Sequence, residues 1–371
     1  MTAGHYFTFA ARQIFHHAYF DGRFDRLFLR IFVTKMRLVA LTIRVMGMVK
    51  LRDARYCNLK LLLIFLVIYG HLIEPQIANS RLLMVQYKGI YLFHMPLFCF
   101  LSGLFLKDGK ACAHQFKKAL PLYLLFQGVA VCFGAKPLIP YWHLWYLLSY
   151  SLWLGFGWFW FRFFGRKGKI IILFVSVLIG CLAGLCPYIG RTLSLSRTLV
   201  FLPYFWMGLI CKPSFPWERL RAFSFIAFVA VIALSALWID QIPVEFLYQA
   251  TPYSELDSGV ILRLLCYLLG ALLCIVLLAL IPSRRFPFTK LGADTLPAYL
   301  IHAPIVSNIR KLDIPWFCHL PIAGAILYGT YKLLQWHSGL YGIVPTERRG
   351  SRCLPFKRST KHMPSPSIDS C

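Results

Sequence analysis

Charge is what this 371-residue chain has least of. Only 15% of its residues are Asp, Glu, Lys or Arg, and just 14 are acidic against 40 basic, a formal net charge of +26. Such a basic balance suits nucleic acid, but the Lys and Arg residues fall mostly in short loops between apolar runs, where positive-inside topology puts them. A nucleic-acid partner is therefore not expected. None of the 12 cysteines forms a Cys-x-x-Cys pair, and Cys99, Cys132, Cys181, Cys266 and Cys274 sit inside apolar runs, where a thiol acts as a small hydrophobe. Neither disulfides nor a bound metal is inferred. There is no Asn-x-Ser/Thr acceptor for glycosylation and no compact signal peptide, because basic and apolar residues alternate at the start without a small-residue cleavage site.

Long apolar runs are abundant. Hydrophobic residues make up 58% of the chain, and the mean hydropathy is +0.63. That composition predicts an all-α, polytopic membrane protein of about ten transmembrane helices, at 59–74, 87–106, 119–135, 142–164, 169–187, 198–211, 222–239, 262–281, 295–309 and 317–336. Several are shorter than the roughly 20 residues of a perpendicular span, so tilt or breaks are expected. Pro96, Pro121, Pro203, Pro297 and Pro304 are expected to kink these helices or mark their ends. The domain plan is a basic N-terminal extension over 1–56, an amphipathic surface helix or an inert extension, then a membrane domain over 57–338. A basic tail over 339–371, rich in Ser and Pro from 345 onward, is expected to be disordered.

Charge then orients the chain. Lys107, Lys110, Lys117, Lys118, Arg162, Lys169, Lys212, Arg219, Arg284, Arg285 and Lys290 fall on one side if both termini are cytoplasmic. The opposite side receives 240–257, which holds acidic residues and no Lys or Arg. This predicts an even number of spans with both termini in the cytoplasm.

Few residues inside the apolar runs can carry chemistry. Lys60 and His71 lie eleven residues apart in the first run, three turns plus about 20°, so they share one helix face about 16 Å apart along the axis. Glu74 follows His71 by one turn, where a carboxylate orients or charges an imidazole. His71 reads either as a general base near neutral pH or as an interfacial histidine, and Lys60 either as a site cation or as a topogenic one. His94 and His302 place two further imidazoles in separate apolar runs, where ionisable groups are costly. Arg191 and Arg197 run against the positive-inside trend, which points to phosphate or carboxylate ligands or to interfacial snorkelling. Trp142, Trp145 and Tyr146 suit an interfacial aromatic belt, with sugar stacking by Trp145 as the alternative, and His143 beside them reads as interfacial.

Several motifs together resemble a known family. Lys60-x10-His71, YLFHMPLFCFLSG at 91–103, WHLWYLL at 142–148, FLPYFWMG at 201–208 and LGADTLPAYLIHAP at 291–304 are similar to the acyltransferase-3 family, in particular its fucose 4-O-acetylase-like branch of integral membrane acyltransferases. The resemblance implies ten helices around a site to which the first-helix histidine, here His71, contributes the catalytic group and Lys60 its motif partner. It implies transfer of an acyl group, acetyl above all, from cytoplasmic acyl-CoA to a hydroxyl of a cell-surface or exported carbohydrate. Acyl-CoA is then a donor substrate, and no bound cofactor is expected. His94, His302 and Glu74 become positioning candidates, and Arg191, Arg197 and Trp145 substrate-binding ones. The chain has no Gly-x-Ser-x-Gly elbow of the kind that carries a serine nucleophile. The rival reading, a transporter or flippase for an envelope glycan or lipid, also fits intramembrane charge and proline-broken helices, but no internal repeat supports it.

Overall fold

The computed structural model describes residues 53–340 except 133, 166–167, 254–257 and 313. The predicted basic extension and C-terminal tail lie almost wholly outside the described residues. Ten long helices and no strand occur among the described residues. They are α1 (Ala54–Ile73), α2 (Arg81–Leu104), α3 (Gly109–Cys132), α4 (Trp145–Phe164), α5 (Lys169–Leu182), α6 (Leu195–Ile210), α7 (Arg221–Trp238), α8 (Gly259–Leu280), α9 (Leu296–Ile309) and α10 (His319–Leu340). Each falls on one of the ten apolar runs.

The beginnings differ from the hydropathy reading. α2 starts at Arg81 rather than 87 and α3 at Gly109 rather than 119. Their first turns are polar and fall below an apolar window, yet local hydrogen bonds cap them. Ser80 Oγ accepts from the Leu83 amide at 3.4 Å, and Asp108 Oδ1 accepts from the Ala111 amide at 2.8 Å. Asp53 does the same for α1, accepting from the Arg55 amide at 2.8 Å. At the far end of α1, Pro75 cannot supply an amide to continue the α-helical ladder, and the chain tightens into a 3-10 helix over Glu74–Asn79. Pro96, Pro121, Pro203 and Pro304 sit inside helices, and Pro297 opens α9.

The surface is apolar and the interior carries the charge. Phe174 on α5 is 70% exposed, Ile226 on α7 69% and Leu268 on α8 69%, amid neighbours of the same kind. A monomeric soluble protein does not expose apolar bands of this extent, whereas lipid covers them without cost. Three stretches among the described residues, Ala54–Asn79, Thr192–Ile210 and Gly259–Leu280, are long and apolar enough to cross a membrane. The protein is therefore an all-helical membrane protein.

α2 is the central element, packed against α1, α6 and α8, while α1 also meets α9 and α10, and α3 pairs with α4. The α2–α6 crossing is close because glycines face each other. A Cβ on Gly103 would collide with the Phe205 carbonyl oxygen, and one on Gly208 with that of Phe100. Small residues let membrane helices approach to backbone contact, and here two do so reciprocally. Gly103→Ala is expected to cost about 1–3 kcal/mol through overpacking against rigid backbone. A lower melting temperature in detergent would register this loss, and an unchanged one would show that the crossing relaxes.

Contacts also define the two ends of the bundle. At one end Arg55 pairs with Glu218, Tyr56 donates to the Pro213 carbonyl at 2.6 Å, and Asn58 Nδ2 donates to the Pro282 carbonyl at 2.9 Å. Lys212, Arg219, Arg284, Arg285 and Lys290 lie in these same loops. At the other end Arg81 pairs with Asp240 at 2.9 Å, and Gln76 donates to the Ile314 carbonyl at 3.0 Å. The basic and acidic loops thus gather at opposite ends.

Candidate active site

One stripe of α1 lines the main cavity. Lys60, Ile64, Val67, His71 and Glu74 all face it, at the three- and four-residue steps of a single helix face. The cavity holds about 470 Å³, within the range of small-molecule sites, and reaches from Lys60 near one end of the bundle to Glu74 at the other. α2, α4, α6 and α9 supply further walls, with His94, Ser102, Tyr146, Arg197 and Tyr299.

Lys60 Nζ donates to the Ala293 carbonyl at 3.1 Å, just ahead of α9. Burial raises the neighbouring Asp294 carboxyl above its ordinary value, and the Lys60 ammonium pulls it back. Gly292 allows this loop to sit against α1, since a Cβ there would strike the Cys57 carbonyl.

At the other end, His71 is held on several sides. Its Nδ1 lies 3.5 Å from Glu74 Oε2, its ring meets Trp142 edge-on at 4.9 Å, and it stacks on His302 at 5.7 Å with 16° between the planes. Arg310 Nε donates to the His71 carbonyl at 2.6 Å, and its Nη2 pairs with the Glu74 carboxylate. The same guanidinium lies 4.9 Å over the Trp142 ring. Tyr248 Oη donates to Glu74 Oε1 at 3.3 Å. Burial and the Glu74 charge push this phenol well above its usual range, so it stays protonated and serves as a donor. Glu74 is thus tied to His71, Arg310 and Tyr248 at once.

The other sequence candidates fall differently. His94 lines the cavity, with Nδ1 2.8 Å from the Ile90 carbonyl, which leaves Nε2 as the lone-pair nitrogen. His302 does not line it. It lies behind His71, its Nδ1 2.7 Å from the Tyr299 carbonyl and 3.1 Å from that of Ala298. Arg191, Arg197 and Trp145 all line the cavity. Trp145 carries the Arg197 guanidinium 4.8 Å over its ring and stacks on Phe201 at 5.6 Å.

The aromatic-belt reading is corrected by this geometry. Trp142, Trp145 and Tyr146 are cavity walls. His143 is buried rather than interfacial, 4% exposed, with its ring 5.1 Å from His302 and its carbonyl accepting from Tyr299 Oη at 2.6 Å. The fold pulls it inward because the 3-10 turn Trp142–Leu144 packs against α9. Arg310, Tyr248 and Ser102 escaped sequence reasoning. For Arg310 a signal existed: it shares its end of the bundle with Asp240 and the 244–248 segment, where the positive-inside rule leaves few cations.

The family model described as an acyltransferase domain, acyltransferase-3, matches residues 57–331. The chain belongs to the acyltransferase-3 family. No curated protein and no solved structure matches it. The matched span of this membrane acyltransferase runs from three residues before Lys60 into α10 and takes in the stripe, Arg197, His302 and Arg310. An acyltransferase needs a group that takes the acceptor's proton and a pocket that excludes water from an activated acyl donor. Among the described cavity residues the imidazoles are His71, His94 and His143, and of these His71 has the Glu74 carboxylate beside its ring.

Proposed function

We propose that the acyltransferase moves an acyl group, acetyl by preference, from acyl-CoA to a hydroxyl of a cell-surface or exported carbohydrate, with His71 as the general base. The observation that carries this is the α1 stripe: Lys60, His71 and Glu74 face one cavity that extends between the two ends of the bundle. In this reading all ten helices span the bilayer, both termini are cytoplasmic in a bacterial inner or plasma membrane, and the basic loops face inward. The CoA phosphates approach from that side, drawn by Lys60 and the loop lysines. The acceptor enters from the opposite end.

The chemistry follows from a thioester that is already activated. The acceptor hydroxyl attacks the thioester carbonyl carbon as its proton passes to Nε2 of His71. The C–S bond then breaks, and the CoA sulfur leaves with a proton returned from the imidazolium. Glu74 favours the tautomer with the proton on Nδ1 and stabilises the imidazolium, as a carboxylate does for a catalytic histidine elsewhere. His94 and His302 support the site, the first from the cavity wall and the second by stacking behind His71.

Acetate analysis of surface polysaccharide from deletion and complemented cells tests the reading. Loss of O-acetyl groups on deletion and their return on complementation is expected. An unchanged polymer with altered export would favour the transport reading instead. Within the same assay, Lys60→Ala is expected to lower activity about tenfold at normal membrane abundance, and Lys60→Arg less, since one unshielded phosphate contact is a charge-assisted hydrogen bond. If Lys60→Ala instead lowers abundance or alters insertion, Lys60 is a topogenic charge.

A further inference from the structure

Arg197 occupies the cavity without the partner that a guanidinium inside a membrane protein ordinarily has. Its Nε donates to the Tyr248 carbonyl at 2.9 Å, and its plane rests 4.8 Å over Trp145. No carboxylate lies within ion-pair distance of it among the described residues, and its two terminal nitrogens make no hydrogen bond there. The buried arginines have side-chain partners, Arg55 in Glu218 and Arg263 in Gln249 and Tyr253, and the half-buried Arg310 pairs with Glu74. Of the two carboxylates that line the cavity, Glu74 is held by Arg310, and neither lies within ion-pair distance of Arg197. Arg191, a second cation, lines the same wall and is an electrostatic neighbour of Arg197. A guanidinium without a carboxylate partner among the described residues thus faces the open volume, in a setting where an uncompensated charge is costly.

Arg197 is also placed relative to the base. Tyr248 gives its backbone carbonyl to Arg197 and its phenol to Glu74, the partner of His71. Tyr248 therefore touches both the guanidinium and the carboxylate partner of His71, and all four residues line the same cavity.

We propose that the carbohydrate acceptor is acidic, and that Arg197 binds its carboxylate or phosphate oxygens, so that a hydroxyl across the same ring is presented to His71. Trp145 holds the guanidinium plane, and the Tyr248 carbonyl fixes its rotation, which leaves the two terminal nitrogens as a fork toward the cavity. A fork of this kind matches two oxygens of one anion, which a lysine ammonium does not. The proposal rests on the acyl-transfer reading for the role of His71, but the anion site itself is tested without turnover.

The test is equilibrium binding to the purified full chain in detergent, followed by saturation-transfer NMR. The probes are methyl galactoside, methyl galacturonide and galactose 6-phosphate. Either or both charged probes are expected to bind at least tenfold tighter than the neutral one, with the advantage shrinking as salt is raised. Preference for the galacturonide assigns a uronic-type acceptor, and preference for the phosphate a phosphorylated one. In Arg197→Gln the charge preference is expected to fall at least tenfold, and Arg197→Lys to retain part of it. The wild-type comparison of charged with neutral probes needs no variant and so survives any folding defect. Equal binding of all three probes by the wild type, no detectable binding of either acid, or a preference untouched in a folded Arg197→Gln protein would overturn the proposal. Failure of acyl transfer to every acceptor, with anion preference intact, would instead count against the proposed function.

Discussion

His71→Ala is expected to lower O-acyl transfer by about 10²- to 10⁴-fold, the usual loss when a positioned general base is removed. The protein should still insert and accumulate, because the His71 contacts that bind the fold together run through its backbone: Arg310 donates to the carbonyl, which any residue retains. His71→Gln is expected to be as inactive, since an amide offers hydrogen bonds but no base. His94→Ala should lose less, since its Nδ1 faces the Ile90 carbonyl and no carboxylate is there to stabilise an imidazolium. The measurement is acyl transfer from labelled acyl-CoA in membranes, normalised to protein abundance. Full transfer by a well-expressed His71→Ala protein would remove the base from this site.

The second large effect belongs to Arg310. Its guanidinium holds the His71 carbonyl and the Glu74 carboxylate and rests on Trp142. Both partners of the ion pair are largely shielded, with 20% and 23% of their side chains exposed. Removing one partner of such a pair strands the other, a loss of about 3–5 kcal/mol when the pair is buried and less to the extent that solvent reaches this one. Arg310→Met is accordingly expected to reduce both stability and transfer. Glu74→Gln removes the charge that Arg310→Met strands. The double variant should therefore be more stable than the sum of the single losses implies, a coupling of about 0.5–3 kcal/mol. Transfer should not recover with stability, since the imidazole remains without its carboxylate. Additive losses of stability would show that Arg310 and Glu74 do not act as a pair, and recovery of transfer in the double variant would deprive Glu74 of its role toward His71.

What sequence made legible here was whatever lies on one helix. Ten apolar runs gave ten helices, and the spacing of Lys60, His71 and Glu74 placed them on a face that does line the cavity. The errors came where polar residues begin a helix or where distant elements converge. The starts of α2 and α3 were hidden because Arg81, Gln86, Lys88, Lys110 and Lys117 dilute the apolar window, although Ser80 and Asp108 mark the caps. His143 was read with its tryptophan neighbours as interfacial, but a 3-10 turn folds it inward against α9. Arg310 and Tyr248 lie far in sequence from Glu74, and only tertiary packing brings their side chains to it. His302 lies in the apolar helix α9, yet it backs His71 instead of facing the open volume.

The glycine crossing between α2 and α6 has a bearing on how substrates get in. Where two helices touch backbone to backbone, no side chain at the contact can change rotamer to absorb a shift of either helix. Those two walls behave as a stationary frame. α1 leaves the frame at its other face and carries its stripe against α9 and α10, where the contacts are made by side chains such as Ile64, Ile68, Ala298, Val306, Ala323 and Leu327. Side-chain packing of that sort tolerates a shear of small steps, so the face of the bundle that bears His71 has more room to adjust than the crossing of α2 and α6.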